Sequence, residues 1–237
     1  MVVNIEKLFH DIAIGLIFTL ISSKFIISFK FYNDYKNQEL EYKNEMLLGT
    51  SLGFIFLAFG RIVYVIFDFF LTEFDSFLYQ QFSTVWKIAS IIQYIGIVIL
   101  VFYSEKVIFS GKTKYLITII SIISIMISMF QLNFLMVQLW SGISTLFATL
   151  FIPLSYLYLV LKSSGKIRKK AFAIFLGFIL YLIGFLLLGE VFVTIIANFI
   201  LENEIIVRYL MHIISVIIRY FGIWLFIYGY RSIWKTE

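Results

Sequence analysis

Apolar residues in this chain come in long runs broken by short polar segments. The runs predict helices at about 8–31, 46–71, 83–103, 115–131, 135–161, 170–201 and 205–234. Each approaches or exceeds the roughly 20 residues that cross a bilayer core. The expected fold is all-α, a polytopic bundle of seven transmembrane helices forming one domain over 1–237, because every polar loop is shorter than about twenty residues and leaves no room for a soluble domain. The sixth run is long: Lys170 to Leu201 would make a helix of about 48 Å against a core of about 30 Å. It must tilt, or project its outer turns after a bend at Gly189.

Composition agrees with the pattern. The chain is 62% hydrophobic and 14% charged, where soluble domains carry about a quarter charged residues. This places it in a membrane as a multi-pass protein, with the cell membrane as the expected location. The first run lacks a basic start and a small-residue cleavage site, so it reads as a retained helix rather than a signal peptide. The net charge of +5 belongs to loops. Lys36 and Lys43, then Lys106, Lys112 and Lys114, then Lys162 to Lys170 follow the odd-numbered helices, while Glu73, Asp75, Glu202 and Glu204 follow the even-numbered ones. Basic loops stay in the cytoplasm, so the amino terminus is expected outside and the carboxyl terminus, with Arg231 and Lys235, inside.

The last run carries the most informative polar residues. Arg208, His212, Ser215, Arg219 and Gly222 recur at steps of four, three, four and three, one stripe along a helix. A centrally placed arginine costs roughly 2.5 to 3.5 kcal/mol to insert, so the stripe is expected to face other helices or a wet cavity. Arg219, about 18 Å from Arg231 along the axis, lies near mid-membrane. Similar stripes place Arg61, Tyr64 and Asp68 on helix two, Lys87, Ser90 and Tyr94 on helix three, and Glu190, Thr194 and Asn198 on helix six. Together they suggest an outward pocket with Arg219 at its base, Arg61 beside it, and Asp68 or Glu190 as partial counter-charge. Cations outnumber acids there, which points to a small anionic solute. The alternative is that Arg61 pairs with Asp68 or Glu190, Lys87 and Arg208 reach the interface, and the set fixes helix rotation. Lys24 reads as a snorkelling residue, Glu105 and Lys106 as markers of the inner interface, and Gly49 and Gly53 as a close-packing pair. Pro153 should kink helix five.

The chain also answers itself. Gly53, Phe54, Ile55 and Gly60 recur as Gly177, Phe178, Ile179 and Gly184, an offset of 124, and Tyr94, Gly96 and Ile97 recur as Tyr220, Gly222 and Ile223, an offset of 126. Thr19 and Leu20 answer Thr149 and Leu150. The pattern suggests a parallel repeat of three helices, one linker and three helices, a recognised transporter plan.

Enzymatic readings are weak. Two histidines, His10 and His212, are too few for an intramembrane zinc site, and no nucleotide loop or triad is visible. There is no cysteine. The expected partners are the lipid bilayer, a small solute or ion, and further copies of the chain in a homo-oligomer; nucleic acid is not expected.

Seven helices and an outside amino terminus resemble the microbial opsins, but no lysine stands between Ile205 and Trp234 to form their Schiff base, so retinal is not expected. The three-plus-one-plus-three plan is similar to the sugar-transporting and PQ-loop families and to trimeric cation channels, although Pro153 is followed by Leu154, not by glutamine. GRIVYVIFDFFL from Gly60, WKIAS from Trp86 and GKTKY from Gly111 resemble stretches of uncharacterised archaeal multi-spanning proteins, a resemblance that carries no activity. Two functions fit: a transporter or channel for a small anionic solute, or a non-retinal receptor or sensor working through a cytoplasmic partner.

Overall fold

The computed structural model describes residues 5–39, 43–200 and 204–230, leaving aside the side chains of Glu190, Val191 and Ile200. Glu202, Arg231 and Lys235, used above to set orientation and depth, lie outside the described residues. The helices are α1 (Ile5–Lys36), α2 (Glu45–Val65), α3 (Ser83–Val107), α4 (Leu116–Met129), α5 (Phe134–Lys162), α6 (Gly165–Leu186), α7 (Glu190–Ile200) and α8 (Glu204–Tyr230). Six segments are long and apolar enough to cross a membrane: α1, Glu45–Leu71, α3, α5, α6 and α8. This is a multi-pass membrane protein in outline. The expected fourth span is the shorter α4, of 14 residues.

Several boundaries differ from the sequence expectation for local reasons. α1 runs on to Lys36, through polar residues expected to be loop, since none of them breaks a helix. Asn44 starts α2, its side-chain oxygen accepting from Met46 N at 2.9 Å. At Ile66 the helix passes into a π segment, Ile66–Leu71, closed by Thr72, whose backbone N–H (3.0 Å) and hydroxyl (2.9 Å) both donate to the Phe67 carbonyl. The long sixth run is broken: α6 stops at Leu186, and three residues ending in Gly189 separate it from α7.

The chain forms two compact units, one made of Met1–Leu20 with Tyr156–Glu237 and one of Ile21–Ser155. In the continuous unit α2 packs most extensively on α3, and in the split unit α6 on α8. Both crossings are set by glycines. A Cβ on Gly53 would lie 3.2 Å from the Gly96 carbonyl oxygen, and one on Gly96 would lie 2.7 Å from that of Gly53. In the split unit a Cβ on Gly177 would lie 2.8 Å from the Gly222 oxygen, and one on Gly222 would lie 2.7 Å from that of Gly177. A side chain larger than hydrogen at Gly96, Gly177 or Gly222 would meet facing backbone at under 3.0 Å and force the helices apart, while at Gly53 it would first meet the Leu100 side chain. The neighbouring contacts match as well: Gly53 meets Leu100 and Gly177 meets Phe226, while Gly60 meets Gln93 and Gly184 meets Arg219. Every pair is related by 124 on the first helix and 126 on the second.

In the continuous unit α4 is pinned to α3 at both ends. The Lys87 ammonium donates to the Gln131 carbonyl, just past α4, at 2.9 Å. At the other end Glu105, wholly buried, accepts from Ile117 N (3.1 Å), Thr118 N (2.9 Å) and the Thr118 hydroxyl (2.5 Å). Glu105 thus caps α4 from another helix, because the residue before α4, Tyr115, is left-handed (φ 57°) and makes no side-chain cap. A carboxylate at a helix N-terminus meets the positive end of the dipole and its unpaired N–H groups. Beside it Lys106 pairs with Glu45 at 2.7 Å, so the two residues read as interface markers divide into a buried cap and a half-exposed ion pair.

Candidate functional site

The expected polar stripe on α8 is buried throughout: Arg208, His212, Ser215, Arg219 and Gly222 are all inside the protein. Arg208 pairs with Glu204 one turn earlier at 2.5 Å. The His212 Nδ1 lies 2.8 Å from the Arg208 carbonyl; a carbonyl only accepts, so this nitrogen carries the proton.

Arg219 contacts a backbone group that the break after α6 leaves available. In an unbroken helix the Gly184 carbonyl would accept from Leu188 N, but that N–H donates to Phe185 O at 3.2 Å instead. The Ser215 hydroxyl and the Arg219 guanidinium donate to Gly184 O at 2.5 and 2.9 Å, and the guanidinium lies 5.6 Å from the centre of the Tyr181 ring. A cation at the negative end of a helix dipole is a favourable arrangement. Lys87 does the same for the carboxyl end of α4 through Gln131. Glu190 opens α7, and its side chain lies outside the described residues.

In the continuous unit Arg61 and Asp68 form an ion pair at 3.7 Å. The Tyr64 and Ser90 hydroxyls share a hydrogen bond of 2.5 Å, and Tyr94 donates to the Ser144 carbonyl at 3.0 Å. The eight expected site residues therefore divide by unit: Arg61, Asp68, Lys87 and Tyr94 in the continuous one, Glu190, Arg208, His212 and Arg219 in the split one. Within the units the structure brings together Arg61 with Asp68, and Arg208 with His212.

Lys24 differs from its reading as a snorkelling residue. It is 2% exposed, and its ammonium donates to the Leu57 carbonyl at 3.2 Å. Leu57 is the 13th residue of the 27-residue segment Glu45–Leu71, so the ammonium sits at the middle of the span rather than reaching for an interface. It is held there because α1 is clamped to α2 one turn further along. Ser28 Oγ donates to Ser51 O at 2.8 Å, and Ser51 Oγ to Ser28 O at 2.9 Å. The signal for this in the sequence is the i, i+4 spacing of Lys24 and Ser28, which puts both on one face. Among the described residues no cluster of three or more His, Asp or Glu side chains could hold a metal ion. No protein-family model matches this chain, and no curated protein or solved structure matches it.

Proposed function

We propose that this protein is a membrane transporter or channel for a small anionic solute, built as a parallel repeat of three helices, one linker helix and three helices. The observation that carries the reading is the recurrence of the glycine crossing. The α2–α3 contacts Gly53–Gly96, Gly53–Leu100 and Gly60–Gln93 return in α6–α8 as Gly177–Gly222, Gly177–Phe226 and Gly184–Arg219. Chance places one glycine pair easily in so repetitive a composition. Three matched contacts at fixed offsets are what a duplicated unit would leave, and such repeats are a common transporter plan.

In this reading α4 is the linker and the seventh span. Its pinning points on α3, Lys87 and Glu105, are 18 residues apart (105 − 87), or about 27 Å, close to the thickness of a bilayer core of about 30 Å. The basic loops before α2 and α6 put both helix starts inside, which makes the repeat parallel and the amino terminus external.

The anionic class is supported by the charge of the interior. Lys24, Arg61, Arg208 and Arg219 are buried cations within the spans; Asp68 and Glu204 offset Arg61 and Arg208, and the buried acid Glu105 is occupied in capping α4, so the cations still outnumber the acids around them. A positive low-dielectric interior raises the local concentration of anions.

Uptake into sealed vesicles carrying the purified protein tests this. Chloride, nitrate, acetate and phosphate, each compared with sodium and potassium, should include at least one anion taken up faster than by protein-free vesicles. Uptake of cations alone, or of nothing, would remove the proposal. Saturable binding of an anion without uptake would favour the receptor reading.

A further inference from the structure

We propose that α8 is the face through which two copies of this chain pair in the membrane, with Phe221 of each copy seated between Ile217, Tyr220, Phe221 and Trp224 of the other. This goes beyond the transport reading and does not rest on it. The four residues line an open groove on α8. They stand at i, i+3, i+4 and i+7, the set of four that forms the hole for an incoming side chain when helices pack knobs into holes. Its walls stand high, since Phe221 is 62% and Trp224 63% exposed. Tyr228, also exposed, continues the same line one turn on, with its ring stacked on that of Trp224. Ile217, Phe221, Trp224 and Tyr228 thus run at steps of four, three and four, the spacing of a helix-pairing seam.

What fills the groove follows from its register. Copies of one chain share an orientation in the membrane, so a two-fold axis along the membrane normal sets α8 parallel to α8 of the partner. In a parallel in-register pair, the side chain entering a hole comes from the same position as the third of the four residues lining it. Here that is Phe221, itself large, apolar and exposed, so the groove is complementary to its own lining. Lipid suits it less well. Trp and Tyr gather where a span meets the headgroups, which accounts for Tyr228, close to the end of α8 at Tyr230. Phe221 is further in, about 14 Å from that end (230 − 221 residues at about 1.5 Å each), near the middle of a core of about 30 Å. The other glycine crossing gives the comparison. At the offset of 126, α3 carries Ile91, Tyr94, Ile95 and Val98 in place of the four, so α8 has three aromatic rings where α3 has one. Ile91 and Ile95 are exposed, and lipid tails pack well on aliphatic side chains. Rings gain from edge and offset contacts with other rings, which acyl chains do not supply.

The chain has no cysteine, so a single introduced cysteine reports on contacts directly. Ile217→Cys lies one layer from Phe221 in the seam and would face its own copy across the two-fold axis. In vesicles of the purified full-length protein at high lipid dilution, oxidation should link most Ile217→Cys chains into a dimer. Ile183→Cys, at an exposed position of α6, should stay monomeric. Adding Phe221→Ala to Ile217→Cys should cut the linked fraction about tenfold or more. The melting temperature in detergent should hold, because Phe221 is exposed. Should it fall, Trp224→Ala, which opens the wall of the hole, is read in the same way. Monomer alone would leave the face to lipid or to another protein and overturn the proposal. So would equal linking of Ile217→Cys and Ile183→Cys, or linking that survives the loss of Phe221. Each of these results leaves anion uptake, and with it the transport reading, to its own test.

Discussion

Alanine at Gly222 is expected to destabilise the protein by about 2 kcal/mol, and alanine at Gly96 by the same amount. In each case the new methyl would stand 2.7 Å from a backbone carbonyl oxygen of the facing helix, that of Gly177 or of Gly53. A backbone oxygen cannot rotate away as a side chain does. The two helices must separate, and the contacts on either side of the crossing loosen with them. Neither glycine has an unusual φ, so the penalty comes from the crossing and not from backbone strain. Gly15 and Gly142 are the controls. Both lie within helices and have no atom within 4 Å of an added Cβ, so alanine there should be neutral or stabilise by about 0.5 to 1 kcal/mol. Unfolding of the four variants in one detergent gives the comparison. A tolerated Gly96→Ala beside a damaging Gly222→Ala would mean that the two crossings are not equivalent.

Glu105→Ala should cost about 3 kcal/mol or more, the largest single-residue effect expected here. It would leave the N–H groups of Ile117 and Thr118 and the Thr118 hydroxyl without their acceptor, at about 1 to 3 kcal/mol for each group left buried and unsatisfied, less any relaxation. Glu105→Gln should be nearly as damaging. Both carboxylate oxygens accept, one from Ile117 and the other from Thr118, and an amide would turn an NH₂ toward one of those donors. Hydrogen exchange at the start of α4 should accelerate in both variants, while exchange in α6 and α8 changes little. Equal acceleration throughout would show that Glu105 supports the whole fold and not the entry of α4.

Six spans were legible because apolar run length is a direct consequence of bilayer thickness, and the buried stripe on α8 because a 3.6-residue period is visible in Arg208, His212, Ser215 and Arg219. The weak point of the long sixth run was legible too, since a helix from Lys170 to Leu201 exceeds the bilayer and Gly189 is a poor helix former. What each cation touches was not legible. Arg219 and Lys87 donate to Gly184 and Gln131 carbonyls, and a backbone acceptor has no residue type to announce it. Arg219's acceptor is available only because α6 stops two residues later, a break whose position cannot be read to that precision. A lysine's stem can reach the interface from the depth of Lys24, so its position in the sequence points there. The Ser28–Ser51 clamp, which directs it to α2 instead, is a tertiary contact 23 residues apart in sequence. Glu105 and Lys106 are neighbours in sequence, and only the fold sends the two side chains to different partners.

The transport reading depends on the same helix crossing having been built twice, and an experimental structure of the protein in a lipid bilayer measures that most directly. Laying the α2–α3 pair on the α6–α8 pair should give its best fit at offsets of 124 and 126. Gly53 should then fall on Gly177 and Gly96 on Gly222, with the same hand of crossing and both pairs running in the same direction across the membrane. A best fit at any other register, or one that requires inverting one pair in the membrane, would contradict the parallel repeat and the transporter plan inferred from it.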